Sequence, residues 1–136
     1  MLNSKSIIKE KITEAGVVKL LNNGILHCDI FADSEIDLNV CEEIYESALD
    51  LTKGVPHPIL FTFKEYVIPD EATRKFMVEC KRLSISKADA LVIKSLPQKI
   101  IANFYLKMNN PPIPSQFFSS ENEAVKLLLN FVDKDL

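Results

Sequence analysis

The stretch Val17-Val-Lys-Leu-Leu-Asn-Asn-Gly-Ile-Leu-His-Cys-Asp-Ile-Phe31 decides how the fold begins. Two apolar runs, Val17–Leu21 and Ile25–Phe31, flank Asn22-Asn-Gly24. An Asn-Gly pair between apolar runs is the strongest short signal of a β-hairpin, because both residues readily adopt positive φ. Upstream, Ser6 to Thr13 alternates with Ile8 and Ile12 on one side, so a half-buried strand is predicted there.

Beyond the hairpin, apolar residues recur at intervals of three and four, which is the period of a helix. Asp37 is a suitable N-cap for the first helix, and Gly54 stands where its C-cap is expected. Short apolar runs at Pro58–Phe63, Ala88–Ile93 and Ser115–Phe118 predict strands between the helices. The predicted apolar face of the first helix comprises Leu38, Cys41, Ile44, Ala48 and Leu51.

Three more helices are predicted from their start signals. Pro69 opens the second at its first position, where Asp70 and Glu71 favour the positive end of the helix dipole. Pro97 starts the third, and the capping box Ser120–Glu123 starts the last. The predicted buried faces are Ala72, Phe76, Cys80 and Leu83 on the second helix, Leu96, Ile100, Ile101, Phe104 and Met108 on the third, and Ala124, Leu127, Leu128 and Phe131 on the last.

This order predicts the α/β class: a mixed sheet with an N-terminal hairpin and four helices in β-α alternation. Strands that alternate with helices are usually parallel and joined by right-handed crossovers. The 136 residues fit one domain, and no internal repeat or linker divides them, so residues 1–136 are predicted to form a single domain.

Composition excludes several classes of protein. The chain is 47% hydrophobic and 26% charged, as in an ordinary globular protein, with a net charge of -3. No apolar run is long enough to span a membrane, and the N-terminus lacks the features of a signal peptide, so a cytoplasmic location is expected. Nucleic-acid binding is disfavoured by the negative net charge.

The residues that usually carry chemistry are few and scattered. Cys28, Cys41 and Cys80 are widely spaced without a C-x-x-C motif, so each is expected to be a small buried hydrophobe. His27 and His57 are expected to be structural. Because no nucleotide-binding or hydrolase motif is present, no catalytic residue, cofactor or metal is predicted.

Charge is divided unevenly along the chain. From Cys28 to Leu51 there are eight acidic residues and no lysine or arginine, whereas Asp70 to Asn110 holds eight basic residues against four acidic ones. Two solvated helix faces would account for this pattern. The functional interpretation is a pair of complementary surfaces, used for a protein partner or for a homodimer.

The pattern of the second half resembles the STAS family, the fold of anti-sigma-factor antagonists, and in particular its small, divergent SpoIIAA-like members found in bacteria. The resemblance covers about Ser6 to Phe131 and rests mainly on packing motifs. The residues that carry it are Ala88–Ile93, Ile100–Lys107, Pro111–Pro114, Phe117-Phe118, Glu123-Ala124 and Leu128.

The better-known members of that family are protein switches, in which a serine at the start of the second helix is phosphorylated by a partner kinase. The matching stretch here, Phe63 to Ala72, contains no Ser or Thr, and Thr73 would lie inside the helix. The resemblance therefore implies a SpoIIAA-like fold without the phospho-switch serine. Either Asp70 and Glu71 mimic the phosphate, or the switch is lost, which is the favoured interpretation.

Two functions stay open. The first is a non-enzymatic regulatory or protein-interaction module, and the alternative is a domain that binds a small molecule, a nucleotide or a lipid. On the third helix, adjacent Phe104 and Tyr105 cannot both face the sheet, so one of them is expected to face a partner or a second subunit. The predicted partner-binding residues are Tyr66, Pro69, Asp70, Glu71, Arg74, Asn103 and Tyr105.

Overall fold

The computed structural model describes residues 6–31, 36–64 and 67–132. Within them, six strands and five α-helices alternate, and a short 3-10 turn spans Leu129–Phe131. The strands are β1 (Ile7–Ile12), β2 (Gly16–Leu21), β3 (Leu26–Ile30), β4 (His57–Phe63), β5 (Ser86–Val92) and β6 (Ser115–Phe118). The helices are α1 (Leu38–Thr52), α2 (Glu71–Met77), α3 (Cys80–Leu83), α4 (Leu96–Met108) and α5 (Glu121–Leu128).

All six strands form one mixed sheet in the order β1-β2-β3-β4-β5-β6. The pairs β1–β2 and β2–β3 are antiparallel, and the pairs from β3 to β6 are parallel. This arrangement confirms the predicted α/β class and the mixed sheet. Parallel neighbours need crossover connections, which the helices between β3 and β6 provide.

The β2–β3 hairpin forms as the Asn-Asn-Gly turn predicts. Gly24 has a φ of 92°, and the side-chain oxygen of Asn23 accepts a hydrogen bond from the Ile25 amide at 3.1 Å. The imidazole of His57 lies 3.0 Å from the Gly24 carbonyl oxygen, which ties β4 to the turn. That histidine is structural, as expected.

The isoleucines of β1 are not half-buried, and that prediction was wrong. Ile8 is 58% exposed and Ile12 is 78% exposed. β1 is the edge strand, and α1 reaches it through a solvent-exposed ion pair, in which the Lys11 ammonium lies 2.7 Å from an oxygen of Asp50. The alternating pattern thus identified the strand but not its exposure.

The helices cover both faces of the sheet. On one face, α1 packs Ala48 and Leu51 against strand residues such as Leu26, Ile59 and Phe61. On the other face, α5 packs against the far side of the same strands. The buried residues of this second layer are Leu21, Ile25, Leu60, Ala88, Ala90, Val92, Ala124, Val125 and Leu128.

The second predicted helix is divided in two, so the prediction of four helices was wrong. α2 ends at Met77 with Val78 as its C-cap, and Glu79 has extended backbone angles before α3 begins. The break directs Arg82 into the core, where its Nε donates a hydrogen bond to the Met77 carbonyl at 2.8 Å. It also leaves Cys80 exposed, contrary to the prediction, whereas Cys28 and Cys41 are buried as expected.

Candidate functional site

The outer face of α4 is a stripe of exposed apolar side chains, which we call the α4 stripe. Leu96 is 69% exposed, Ile100 60%, Phe104 48% and Met108 64%. At intervals of four residues, they lie on one side of the helix. The sequence predicted that these residues face the sheet, and that prediction was wrong.

Gln98 determines which side of α4 faces inward. Its amide nitrogen donates to the carbonyl oxygens of Lys64 at 2.8 Å and Val67 at 2.9 Å, and its amide oxygen accepts from the Lys94 amide at 2.7 Å. Its amide oxygen also accepts from the Ser95 amide at 3.2 Å, and a buried amide with four partners holds the first turn in one orientation. The inward residues of α4 are then Gln98, Ala102 and Tyr105, so Tyr105 is not the partner-facing residue that the sequence predicted.

Basic groups flank the α4 stripe, with Lys99 and Lys107 on α4 itself and Arg74 on α2. From Ala90 to Ser120 the sequence has three lysines, Lys94, Lys99 and Lys107, and no acidic residue. All three are exposed. On the α2 side, the guanidinium of Arg74 lies 5.5 Å from the centre of the Phe104 ring, and its Nη1 donates to the Pro69 carbonyl at 2.8 Å.

Three of the predicted partner-binding residues therefore lie along this surface: Pro69, Arg74 and Asn103. Pro69 precedes α2 and Arg74 lies within it, and both are half-buried, whereas Asn103 is exposed on α4. Tyr66 lies outside the described residues. Tyr105 is on the opposite side of α4, only 5% exposed.

Asp70 and Glu71 have ordinary helix-start roles in α2. A carboxylate oxygen of Asp70 accepts a hydrogen bond from the Thr73 amide at 2.8 Å, and this bond lowers the pKa of Asp70. Glu71 is exposed and pairs with Lys75 at 3.2 Å. The Thr73 hydroxyl is buried and donates to the Ile36 carbonyl at 2.8 Å.

Beneath α4 lies an apolar cavity of about 110 Å³, bounded by the sheet, α1, α2 and α4. The cavity lies there because α4 approaches the sheet less closely than α1 or α5 does. The walls are almost entirely hydrocarbon. Representative lining residues are Cys28, Ile59, Phe61, Phe76, Leu91 and Ala102.

A buried ion pair borders the cavity. Arg82 and Asp89 are 3% and 0% exposed, and both guanidinium Nη atoms donate to the carboxylate, with Nη1 at 2.9 Å from Oδ1. Ser86 donates a further hydrogen bond to Asp89 at 2.7 Å. Burial opposes the charge of Arg82, but the facing carboxylate outweighs burial and raises the pKa of Arg82.

Tyr105 and Cys28 also line this cavity. Burial raises the pKa of Tyr105 to about 12, with the charge of Asp89 adding to the effect, and burial raises the pKa of Cys28 to about 12. Both groups are therefore protonated at neutral pH. The Tyr105 hydroxyl has no hydrogen-bond partner among the described residues.

The sequence did not predict this ion pair, and it predicted Tyr105 at a partner-binding surface instead of at a cavity. One signal was available: Asp89 is the only charged residue in the apolar run Ala88–Ile93. A buried carboxylate needs a cation, so that run indicates a basic partner without identifying which one.

A second cluster of polar side chains lies on the opposite face of the sheet. Thr62 donates a hydrogen bond to Asp29 at 2.8 Å, and its oxygen lies 2.8 Å from Nε2 of His27. Lys64, Lys94 and Glu121 border the same shallow depression. Across residues 6–31, 36–64 and 67–132, no cluster of three or more His, Cys, Asp or Glu side chains is placed to hold a metal ion.

The described helices are all too short or too polar to cross a membrane.

Comparison with known proteins adds a family match over most of the chain. A family model described as a domain of unknown function, DUF7793, matches residues 19–132. No curated protein matches. A crystal structure of a protein with unknown function from Arthrobacter sp. FB24 is similar at 24% identity, covering 82% of this chain and 96% of that one, with a TM-score of 0.29.

Proposed function

Since the chain belongs to the DUF7793 family, a domain of unknown function, we propose from its own geometry that it is a non-enzymatic interaction module. Its partner is proposed to be a protein that presents an acidic amphipathic segment to the α4 stripe. The observation that carries this proposal is the exposure of four large apolar side chains along one helix face.

An exposed apolar stripe of this kind favours a binding surface. Single apolar residues are common on protein surfaces, but contiguous rows of them usually mark contact sites. The spacing of Leu96, Ile100, Phe104 and Met108 suits a partner helix that lies along α4 and packs its own side chains between them.

Charge supports an acidic partner over a second copy of this chain. A two-fold contact between two α4 helices would bring the lysines of the two copies together, with no acidic residue on either helix to offset the repulsion. Acidic side chains on a partner would instead pair with these lysines at the rim of the contact. A homodimer is therefore not favoured, and the experiment below distinguishes it from an acidic partner. A nucleic acid is disfavoured as a partner by the net charge of -3.

The proposal that this module is not an enzyme is supported by its thiols. Burial raises the pKa of Cys28 to about 12 and that of Cys41 to about 11, so neither is a thiolate nucleophile at neutral pH. The three cysteines are free, which suits the reducing cytoplasm proposed as its location.

We further propose that a phosphorylation switch is absent. The Thr73 hydroxyl is buried and hydrogen-bonded, and Asp70 is engaged in capping α2. A STAS-like arrangement stays a proposal about the finer fold, supported by the hairpin followed by helix-strand units. Docking of a partner at α4 depends neither on the absence of a phosphorylation switch nor on a STAS-like arrangement.

The test uses two synthetic helical peptides with the same leucine face, one flanked by glutamates and one by lysines. Each is titrated into the chain while amide chemical shifts are followed by NMR. We expect the glutamate peptide to bind and to shift amides of α4. Ile100→Gln should weaken binding by about 10-fold or more, because a buried isoleucine contributes about 1.5–3 kcal/mol.

The matched control is Ile12→Gln, which changes the same side chain at an exposed position on β1 and should leave binding unchanged. Lys99→Glu should reduce the preference for the glutamate peptide over the lysine peptide. Equal binding of both peptides, or insensitivity to Ile100→Gln, would refute the proposal. Sedimentation of the free chain as a dimer that Ile100→Gln dissociates would refute it in favour of self-association.

A further inference from the structure

We propose that the cavity beneath α4 is a binding site for a small, neutral, mainly apolar molecule that accepts a hydrogen bond from the Tyr105 hydroxyl. The four side chains of the α4 stripe do not line this cavity, because Tyr105 and Ala102 face the inner side of the helix, and only Pro69 and Arg74 border both. The proposal therefore does not depend on the proposed function.

The first support is the unpartnered hydroxyl itself. Tyr105 is 5% exposed and lines the cavity, yet its hydroxyl has no hydrogen-bond partner among the described residues. Buried polar groups are nearly always hydrogen-bonded, because a buried group without a partner has lost its hydrogen bond to water and gained nothing in return. A ligand oxygen would supply the missing acceptor.

The second support is the chemistry of the walls. Ile59, Phe61, Phe76 and Leu91 give the cavity a hydrocarbon surface that favours an apolar ligand. The volume of about 110 Å³ matches the scale at which apolar cavities bind single-ring compounds, since a cavity of roughly 150 Å³ holds benzene. The ligand, or the part of it that enters, is therefore about the size of one ring.

The third support concerns charge. Arg82 and Asp89 neutralise one another beside the cavity. A carboxylate or an ammonium ion placed beside this pair would be a third buried charge, which is strongly unfavourable. The other charged lining residue, Arg74, already donates to the Pro69 carbonyl and lies over the Phe104 ring. The site therefore selects a neutral molecule. Because Tyr105 is protonated at neutral pH, its hydroxyl is available as a donor.

The test compares phenol, toluene and benzoate as probes of the isolated chain. They share a single ring and differ in carrying a neutral hydroxyl, a methyl group or a charge. Binding is measured from methyl chemical shifts of Ile59 and Leu91. We expect saturable binding of phenol and toluene at these methyl groups, and benzoate binding at least tenfold weaker than phenol.

Tyr105→Phe isolates the hydrogen bond. It removes an unpartnered hydroxyl, so it should not lower the melting temperature. We expect it to shift the ratio of phenol to toluene affinity about fivefold toward toluene, the effect of one neutral hydrogen bond. An unchanged ratio, or benzoate binding as tightly as phenol, would overturn the proposal.

Ala102→Leu fills the cavity and should abolish binding of both phenol and toluene. Ala72→Leu is the matched control, since Ala72 is exposed on α2, and it should leave binding intact. Ile100→Gln should also leave phenol binding intact, so failure of the docking proposal is distinguishable from failure of this one. Absence of saturable methyl shifts in the unmodified chain would overturn the proposal without any variant.

Discussion

Helices α4 and α5 lie on opposite faces of the same sheet and use their apolar residues in opposite ways. On α5, Ala124 and Leu128 are fully buried and Val125 is 5% exposed. On α4, Leu96 and Ile100 are more than half exposed, and the helix turns Gln98 and Tyr105 inward. Similar amphipathic sequences thus form a closed core on one side and an open surface with a cavity beneath it on the other.

Strand β5, which contributes side chains to the layers under both helices, explains the difference. Alternate residues of β5 face alternate sides, and Ala88 and Ala90 belong to the layer under α5. Small side chains there let α5 approach closely. On the other side, Asp89 with its partner Arg82 and the large Leu91 occupy the space below α4. As a result, α4 does not approach the sheet closely. It is held by hydrogen bonds at its first turn, and a cavity lies beneath the rest of the helix.

The largest expected effect comes from breaking the buried ion pair on the α4 side. Asp89→Asn leaves the Arg82 guanidinium buried without a countercharge, which should cost about 3–5 kcal/mol in the free energy of unfolding. Urea unfolding measures the loss. Asp50→Asn is the control, because the exposed Lys11–Asp50 pair is screened by water and its removal should change stability little. Equal losses from both variants would contradict the importance of burial.

The comparison of the two helices is tested directly by one substitution made twice. Leu128→Ala on α5 should cost about 2–5 kcal/mol, because it opens a cavity in a filled core. Leu96→Ala on α4 should change stability by no more than about 0.5 kcal/mol, because that side chain is 69% exposed. Thermal and urea unfolding of both variants check the contrast. A costly Leu96→Ala would show that α4 packs as the sequence predicted.

The start of α2 supplies a smaller, pH-dependent contribution. Asp70→Ala should cost about 1 kcal/mol by removing the N-cap, whereas Asp70→Asn keeps a capping oxygen and should cost little. The hydrogen bond from Thr73 lowers the pKa of Asp70 below 3.8 in the folded state. Its contribution is therefore complete above pH 3.8 and is lost as the pH falls through the folded pKa.

Urea unfolding of the unmodified chain and of Asp70→Asn between pH 2 and pH 7 measures this dependence. The difference between the two should vary only at the acidic end of that range. A difference that varies between pH 5 and pH 7 would contradict the assignment to Asp70.

The smallest expected effect concerns the contact between α2 and α4. Phe104→Ala should cost only about 0.5–1 kcal/mol, the size of a surface cation–π contact, instead of the roughly 3–5 kcal/mol of a buried phenylalanine. A double-mutant cycle with Arg74→Met isolates the pair. A coupling free energy near zero would show that Arg74 does not hold Phe104.

Local signals in the sequence determined most of the secondary structure. The Asn-Asn-Gly turn between two apolar runs predicted the β2–β3 hairpin, and all six strands lie where alternation or apolar runs predicted them. Caps behaved in the same way, since Asp37 accepts a hydrogen bond from the Val40 amide as the first residue before α1. These features depend on backbone geometry within a few residues, so short windows of sequence suffice to predict them.

Only the tertiary structure decided which faces were buried and what the molecule offers to a partner. The spacing of Leu96, Ile100, Phe104 and Met108 predicted a helix face but not its direction, because Gln98 finds its partners Lys64 and Val67 some thirty residues away along the chain. In the same way, Asp89 signalled a need for a cation, and the break after α2 selected Arg82. Periodicity records that one side of a helix is apolar, whereas burial depends on long-range contacts, and both the α4 stripe and the cavity arise from those contacts.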